Sequence, residues 1–126
     1  MNLLYKLIQL EHESNEFGFA WPNVEMIIEQ AISECYEIKD TINQNEPPER
    51  IQEEIGDLLH AVVSLCIFLE LDVEKVLNAA IAKFANRLKA LKHIAYEQGF
   101  DDLKGQPISV LLDLWEQAKK TKNNDT

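Results

Sequence analysis

Two consecutive segments of this chain carry the same apolar spacing. Val24, Ile28, Ala31, Cys35, Ile38 and Ile42 fall at intervals of four, three, four, three and four. After Pro47-Pro48 the spacing returns in Ile51, Ile55, Leu58, Val62, Leu65 and Leu69. Such a period lays a stripe along one face of an α-helix and cannot do so on a strand. Two amphipathic helices of this length must bury their stripes, and the nearest partner for each is the other. The residue before a proline avoids helical geometry, so the Pro-Pro pair breaks the chain between them.

The helical period runs through the rest of the sequence. Leu3, Leu4, Leu7, Ile8 and Leu10 predict a first helix over roughly residues 2–15, ended by the connector from Phe17 to Trp21-Pro22. Pro22 or Asn23 opens the second helix, which ends near Asn43 to Asn45. The third runs to about Glu70. Leu59, Val63, Cys66, Ile67 and Phe68 make its second half apolar nearly all round, as in a helix buried on more than one side. Asp72 suits the N-cap of a fourth helix over 73–97, with Val73, Leu77, Ala80, Phe84, Leu88 and Leu91 as its seam and Gly99 as its C-terminal cap. A short last helix carries Val110, Leu111, Leu114 and Trp115, and the tail KKTKNNDT is expected to fray. No strand pattern competes. The expected fold is an all-α helical bundle of four to five helices, a single domain over 1–126 with its motif-bearing core at about 20–97.

Composition narrows the partners. The chain is 46% hydrophobic, so it can build a core, and its formal net charge is −10. That charge repels phosphate backbones and argues against a nucleic-acid polymer. It leaves room for a small phosphate ligand bridged to carboxylates by a divalent cation. Cys35 and Cys66 have no zinc spacing and read as reduced core thiols, which suits a reducing compartment. The N-terminus lacks a signal-peptide layout, and the run from Leu58 to Leu71 is broken by His60, Ser64 and Glu70, so no bilayer span is expected. The expected location is the cytoplasm.

Within these helices stand two acidic pairs, Glu34 with Glu37 and Glu54 with Asp57. At about 100° per residue, both pairs fall on the same-handed flank of their apolar seams. Facing seams would bring all four carboxylates toward one spot. Ala61 and Ser64 continue that flank and leave room for a ligand. Gly56 costs its helix about 1 kcal/mol relative to Ala and so hints at a close backbone approach. Four converging carboxylates repel one another unless a cation sits among them. Oxygen-only ligation selects Mg²⁺ or Mn²⁺, and Mg²⁺ readily shares its shell with substrate phosphates. The chemistry suggested is hydrolysis of a phosphoanhydride by a metal-activated water. On the fourth helix Lys83 and Arg87, with Asn86 between them, can receive phosphate oxygens. Either acidic pair alone, or the basic pair alone, is more often a solvated helix flank; the case rests on their matched offsets.

The pattern Glu34-x-x-Glu37, sixteen residues, then Glu54-x-x-Asp57 resembles the signature of the MazG-like all-α nucleoside triphosphate pyrophosphohydrolases. EIGDLLHAVV, KFANRL and the WP before the second helix resemble further family segments, and the likeness covers roughly residues 20–91. The resemblance implies a Mg²⁺-dependent enzyme that cleaves (d)NTPs between the α and β phosphates, giving monophosphate and pyrophosphate. It implies Glu34, Glu37, Glu54 and Asp57 as metal ligands, and Lys83, Asn86 and Arg87 as phosphate contacts. Glu54 would thereby serve catalysis, and Glu53 would orient the attacking water or stand exposed. Asn86 replaces a frequent Arg, and Ser33 replaces a frequent acidic residue. The resemblance also implies a homodimer or homotetramer.

Trp21 suits a base-stacking wall or a hydrophobic staple at the helix entry. His60 is expected on the side of its helix away from the acidic flank, as an interface or exposed residue. His12 and His93 have no ligand constellation around them, and Tyr36 reads as packing. The rival readings are a dimeric dUTPase, a phosphoribosyl-ATP pyrophosphohydrolase, and an acidic helical adaptor without activity. A ferritin-like di-iron bundle needs two Glu-x-x-His motifs, and the chain offers only Asp57-x-x-His60.

Overall fold

The computed structural model describes residues 2–121. These form α1 (Leu3–Phe17), α2 (Val24–Asn43), α3 (Pro48–Phe68), α4 (Val73–Glu97) and α5 (Ile108–Lys120), with no strand among the described residues. The all-α expectation holds, and the helix ends follow the local signals. Gly18 ends α1 in the left-handed conformation at φ 99°, and Asn23 caps α2 by accepting from the Met26 N–H at 2.9 Å. Pro48 opens α3, and Asp72 accepts from the Lys75 N–H at 3.1 Å at the start of α4. Gly99, at φ 95°, stops α4 as expected. Lys119 and Lys120 are helical rather than frayed, and Thr121 caps the helix in an extended conformation; residues 122–126 of the expected fraying tail lie outside the described residues.

The chain divides into two compact units, Met1–Val76 and Leu77–Thr126. In the first unit α2 and α3 pack against each other most extensively and run antiparallel across the short loop 44–47, while α1 packs on α3. Val63, Cys66 and Val73 form a small core that Leu4, Leu7, Ile8 and Ile67 complete. In the second unit the later turns of α4 meet α5. Ala95, Leu114 and Ala118 are buried there, Phe84 and Trp115 meet edge to face with centroids 6.3 Å apart, and Gln98 donates to Gln117 at 2.9 Å.

The stripes that α2 and α3 turn inward differ from the expected ones. Val24, Ala31 and Ile38 are partly buried as anticipated, but the second inward line is Ile27, Glu34 and Thr41. Ile28, Cys35 and Ile42 are exposed. On α3 the inward line is Ile51, Glu54, Leu58, Ala61 and Leu65, while Ile55, Val62 and Leu69 are exposed. Each helix is rotated so that its carboxylate-bearing edge turns into the interface. Cys35 is therefore not the core thiol expected, whereas Cys66 is. On α4, Leu77 and Phe84 are likewise exposed. A Cβ at Gly56 would meet no atom within 4 Å, so no close approach within the chain accounts for that glycine.

Candidate active site

The rotation of α2 and α3 brings their acidic edges together. Carboxylate oxygens of Glu34, Glu54 and Asp57 all lie within 4.8 Å of one another, with Glu34 and Glu54 buried and Asp57 exposed. Gln30, one turn before Glu34, donates to its Oε2 at 2.7 Å. The other oxygen, Oε1, is buried and has no hydrogen-bond partner. A buried acceptor left unmatched costs on the order of 1–3 kcal/mol, and more when charged. It calls for a donor or a cation.

Glu37 stands one turn on, exposed at the edge of this group. Its carboxyl is pushed up to about 6, first by Glu34, with which it shares a hydrogen bond only while it holds its proton, and then by the charges of Glu34, Glu54 and Asp57; once that proton is lost, Oε1 of Glu34 stands unmatched. Holding that proton to higher pH relieves the repulsion among the carboxylates. The four residues expected as ligands are thus neighbours: three form the cluster and the fourth adjoins it. The donor set is all oxygen, the buried Oε1 is unmatched, and the carboxylates repel one another. Those features fit a hard divalent cation.

Arg50 escaped the sequence reading. Its Nη2 donates to Glu54 Oε1 at 3.0 Å, its Nη1 to Glu53 Oε1 at 2.8 Å, and its Nε lies 3.5 Å from Glu46. The i+3 and i+4 spacing to Glu53 and Glu54 was visible in the sequence as helix-surface pairs, while Glu46 reaches Arg50 from the loop before α3. The pairs with Glu46 and Glu53 are solvent-accessible and contribute little stability, whereas the pair with Glu54 reaches a buried carboxylate. Their effect is to orient Glu54. Glu53 itself has a side chain 64% exposed and lies outside the carboxylate cluster.

A cavity of about 410 Å³ opens beside the cluster, within the roughly 300–1,000 Å³ usual for small-molecule sites. Glu34 and Asp57 line it, as do the small residues Ala61 and Ser64. Trp21, half-buried, and Phe19 contribute aromatic wall from the α1–α2 connector. Two further lining residues were not expected. Glu11 of α1 is only 8% exposed, and its Oε1 lies 2.9 Å from His60 Nε2. His60 is exposed, as expected, but it does not point away from the acidic flank: three residues past Asp57, it sits only about 60° round the helix and lines the same cavity. Glu11 follows Leu4, Leu7 and Ile8 at helical spacing, so its place on the inward face of α1 was legible. Lys83 is exposed, and Asn86 and Arg87 are half-buried; all three belong to α4 in the second unit.

Among the described residues no helix is long and apolar enough to cross a membrane. The model of the MazG nucleotide pyrophosphohydrolase domain matches residues 23–91. Over 111 residues the chain is 32% identical to the nucleoside triphosphate pyrophosphohydrolase/pyrophosphatase MazG of Thermotoga maritima, covering 88% of this chain and 42% of that protein. Over 121 residues it is 26% identical to a nucleoside triphosphate pyrophosphohydrolase of Escherichia coli K12, covering 93% and 44%. The chain thus spans less than half the length of these curated relatives.

Proposed function

The chain belongs to the MazG nucleotide pyrophosphohydrolase domain family, and from that premise we propose that it hydrolyses (deoxy)nucleoside triphosphates between the α and β phosphates. The products are a nucleoside monophosphate and pyrophosphate, and the role is housekeeping of the nucleotide pool. The observation that carries this reading is the cluster of Glu34, Glu54 and Asp57 beside a ligand-sized cavity, with one buried oxygen of Glu34 unmatched.

Glu34, Glu54 and Asp57, with Glu37 beside them, hold Mg²⁺, or Mn²⁺ in its place. The cation supplies Lewis acidity toward phosphate oxygens and acidifies water. Gln30 and Arg50 fix the rotamers of Glu34 and Glu54, so the ligand oxygens are set before substrate arrives. Glu53, next to Glu54, orients the attacking water. Lys83, Asn86 and Arg87 contact phosphates, and Trp21 stacks on the base in the cavity it lines. Residues 1–126 act as one domain: the matched span 23–91 runs from the first unit into the second. The protein works in the cytoplasm as a homodimer or homotetramer, because Ile28, Ile32, Ile55, Leu59 and Val62 leave an apolar face uncovered.

The test is pyrophosphate release from a panel of NTPs and dNTPs with Mg²⁺, Mn²⁺ or EDTA. Release is expected with either metal, with monophosphate as co-product, and none with EDTA. Glu54→Gln and Asp57→Asn are expected to lose at least 100-fold in kcat, as an order of magnitude for electrostatic groups at a reacting centre. Glu53→Gln separates water orientation from mere exposure, since an exposed bystander leaves kcat unchanged. Phosphate release in place of pyrophosphate, or full turnover by Glu54→Gln, contradicts the reading. Turnover confined to dUTP or phosphoribosyl-ATP would place the chain with those related hydrolases, and no turnover with folded protein would favour the adaptor.

A further inference from the structure

The cavity beside the carboxylate cluster contains a second acidic feature that metal binding does not use. Glu11 reaches it from α1, forty-nine residues away in sequence from its partner His60. Its carboxylate is nine-tenths buried, yet its one hydrogen-bonding partner among the described residues is an imidazole that is itself 56% exposed. The second oxygen, Oε2, accepts no hydrogen bond among the described residues, and Glu11 and His60 both line the cavity. A carboxylate is acceptor-only, and burying one is tolerated where donors meet it. The cavity therefore presents an unfilled acceptor, fixed in direction by His60, in a space that Trp21 and Phe19 line with aromatic surface.

We propose that Glu11, oriented by His60, reads the nucleobase and selects bases that present adjacent N–H donors, guanine foremost. The assignment rests on the triphosphate being seated at the Glu34 and Asp57 part of the cavity, as proposed above. A polyanionic triphosphate is repelled by Glu11, so the uncharged end of the substrate meets it. Guanine offers a ring N–H and an exocyclic amine side by side, a fork that matches Oε2 together with the lone pair that Oε1 keeps beside its contact with His60. Cytosine and adenine offer the exocyclic amine alone. Uracil and thymine flank their single N–H with two carbonyl oxygens, which an acceptor-only group repels. A well-made bidentate contact to a base discriminates on the order of tenfold or more. His60 is a positioning residue: it touches Glu11 and leaves the second oxygen free.

The test is kcat/KM for GTP, CTP and UTP, and for dGTP, on the wild-type chain, Glu11→Gln and His60→Gln. The wild type should favour GTP over UTP on the order of tenfold or more, with CTP between. In Glu11→Gln the ratio should fall toward one, because the amide offers both a donor and an acceptor. His60→Gln should lower it part of the way, and both variants should keep the metal requirement. The ratio is taken within one sample, so a loss of folded protein cancels. Equal turnover of GTP and UTP by the wild type, or a ratio unmoved by Glu11→Gln, overturns the proposal. So does a loss shared equally by all bases that differs between GTP and dGTP, which would place the sugar at Glu11. If no triphosphate is cleaved, the hydrolase reading fails by itself. Calorimetric titration with GMP and UMP then decides: tighter GMP binding that Glu11→Gln abolishes supports base reading, and equal or absent binding overturns it.

Discussion

Glu37 holds its proton up to about pH 6 because three carboxylates stand near it, a measurable consequence of the cluster's charge. Its folded value of about 6 lies above the ordinary 4.5, so between those two values the folded chain binds more protons than the unfolded one. Stability from this source is complete below about pH 4.5 and is lost as pH rises through about 6. The metal-free protein should therefore melt at a higher temperature at pH 5 than at pH 7 in low salt, and Glu37→Gln should shrink that difference. Mg²⁺ at pH 7 should restore the melting temperature of the wild type. The same pH difference in both proteins would show that Glu37 does not feel the cluster. At this scale the sequence was most informative about residue type. The pairs Glu34/Glu37 and Glu54/Asp57 pointed to an all-oxygen donor set, and their spacing to a shared flank. Glu11 and Arg50 were less visible, because a single carboxylate on an amphipathic helix and an arginine among glutamates both have ordinary explanations until their contacts are known.

At the scale of the helix, the lengths, caps and breaks were legible, because Asn23, Pro48, Asp72 and Gly99 act through local backbone chemistry. The rotation of each helix about its axis was not. Apolar stripes at 28-35-42 and 55-62-69 look like the inward seam on hydrophobicity alone. The chain instead turns in 27-34-41 and 51-54-58-61, which include Glu34, Glu54 and Thr41. Thr41 meets its burial by donating to the Glu37 carbonyl at 2.7 Å, and Glu34 by accepting from Gln30. Polar residues that carry their own partners can occupy a seam, and a hydrophobic count cannot see those partners. Gly56 gives this scale its own test. It lies in the interior of α3 with open space where a Cβ would stand, so Gly56→Ala should stabilise the chain by about 0.5–1 kcal/mol in chemical unfolding. A loss of stability would mean that another chain approaches the α3 backbone there.

Across the first unit the rotation has a cost and a use. The lines 27-34-41 and 51-54-58-61 turn inward between α2 and α3 and carry the carboxylates, while 28-35-42 and 55-62-69 are left exposed. Beside these, Leu59 is 63% exposed and Ile32 51% exposed. Exposed apolar side chains of this kind are what a second copy of the chain would cover. Sedimentation equilibrium at micromolar protein should give a mass at least twice that of the monomer, and Leu59→Glu should lower it. A monomeric wild type would contradict the assembly while leaving the site intact. The claim on which the rest depends is that the oxygens of Glu34, Glu54 and Asp57 hold a divalent cation where a triphosphate is cleaved. It is tested most directly by a crystal of the protein with Mn²⁺ and an α,β-imido nucleoside triphosphate, measured for anomalous scattering. An anomalous peak is expected in coordination range of carboxylate oxygens from all three residues and of the analogue's phosphates. Ordered analogue with no peak among those carboxylates, or with manganese bound elsewhere, would contradict it.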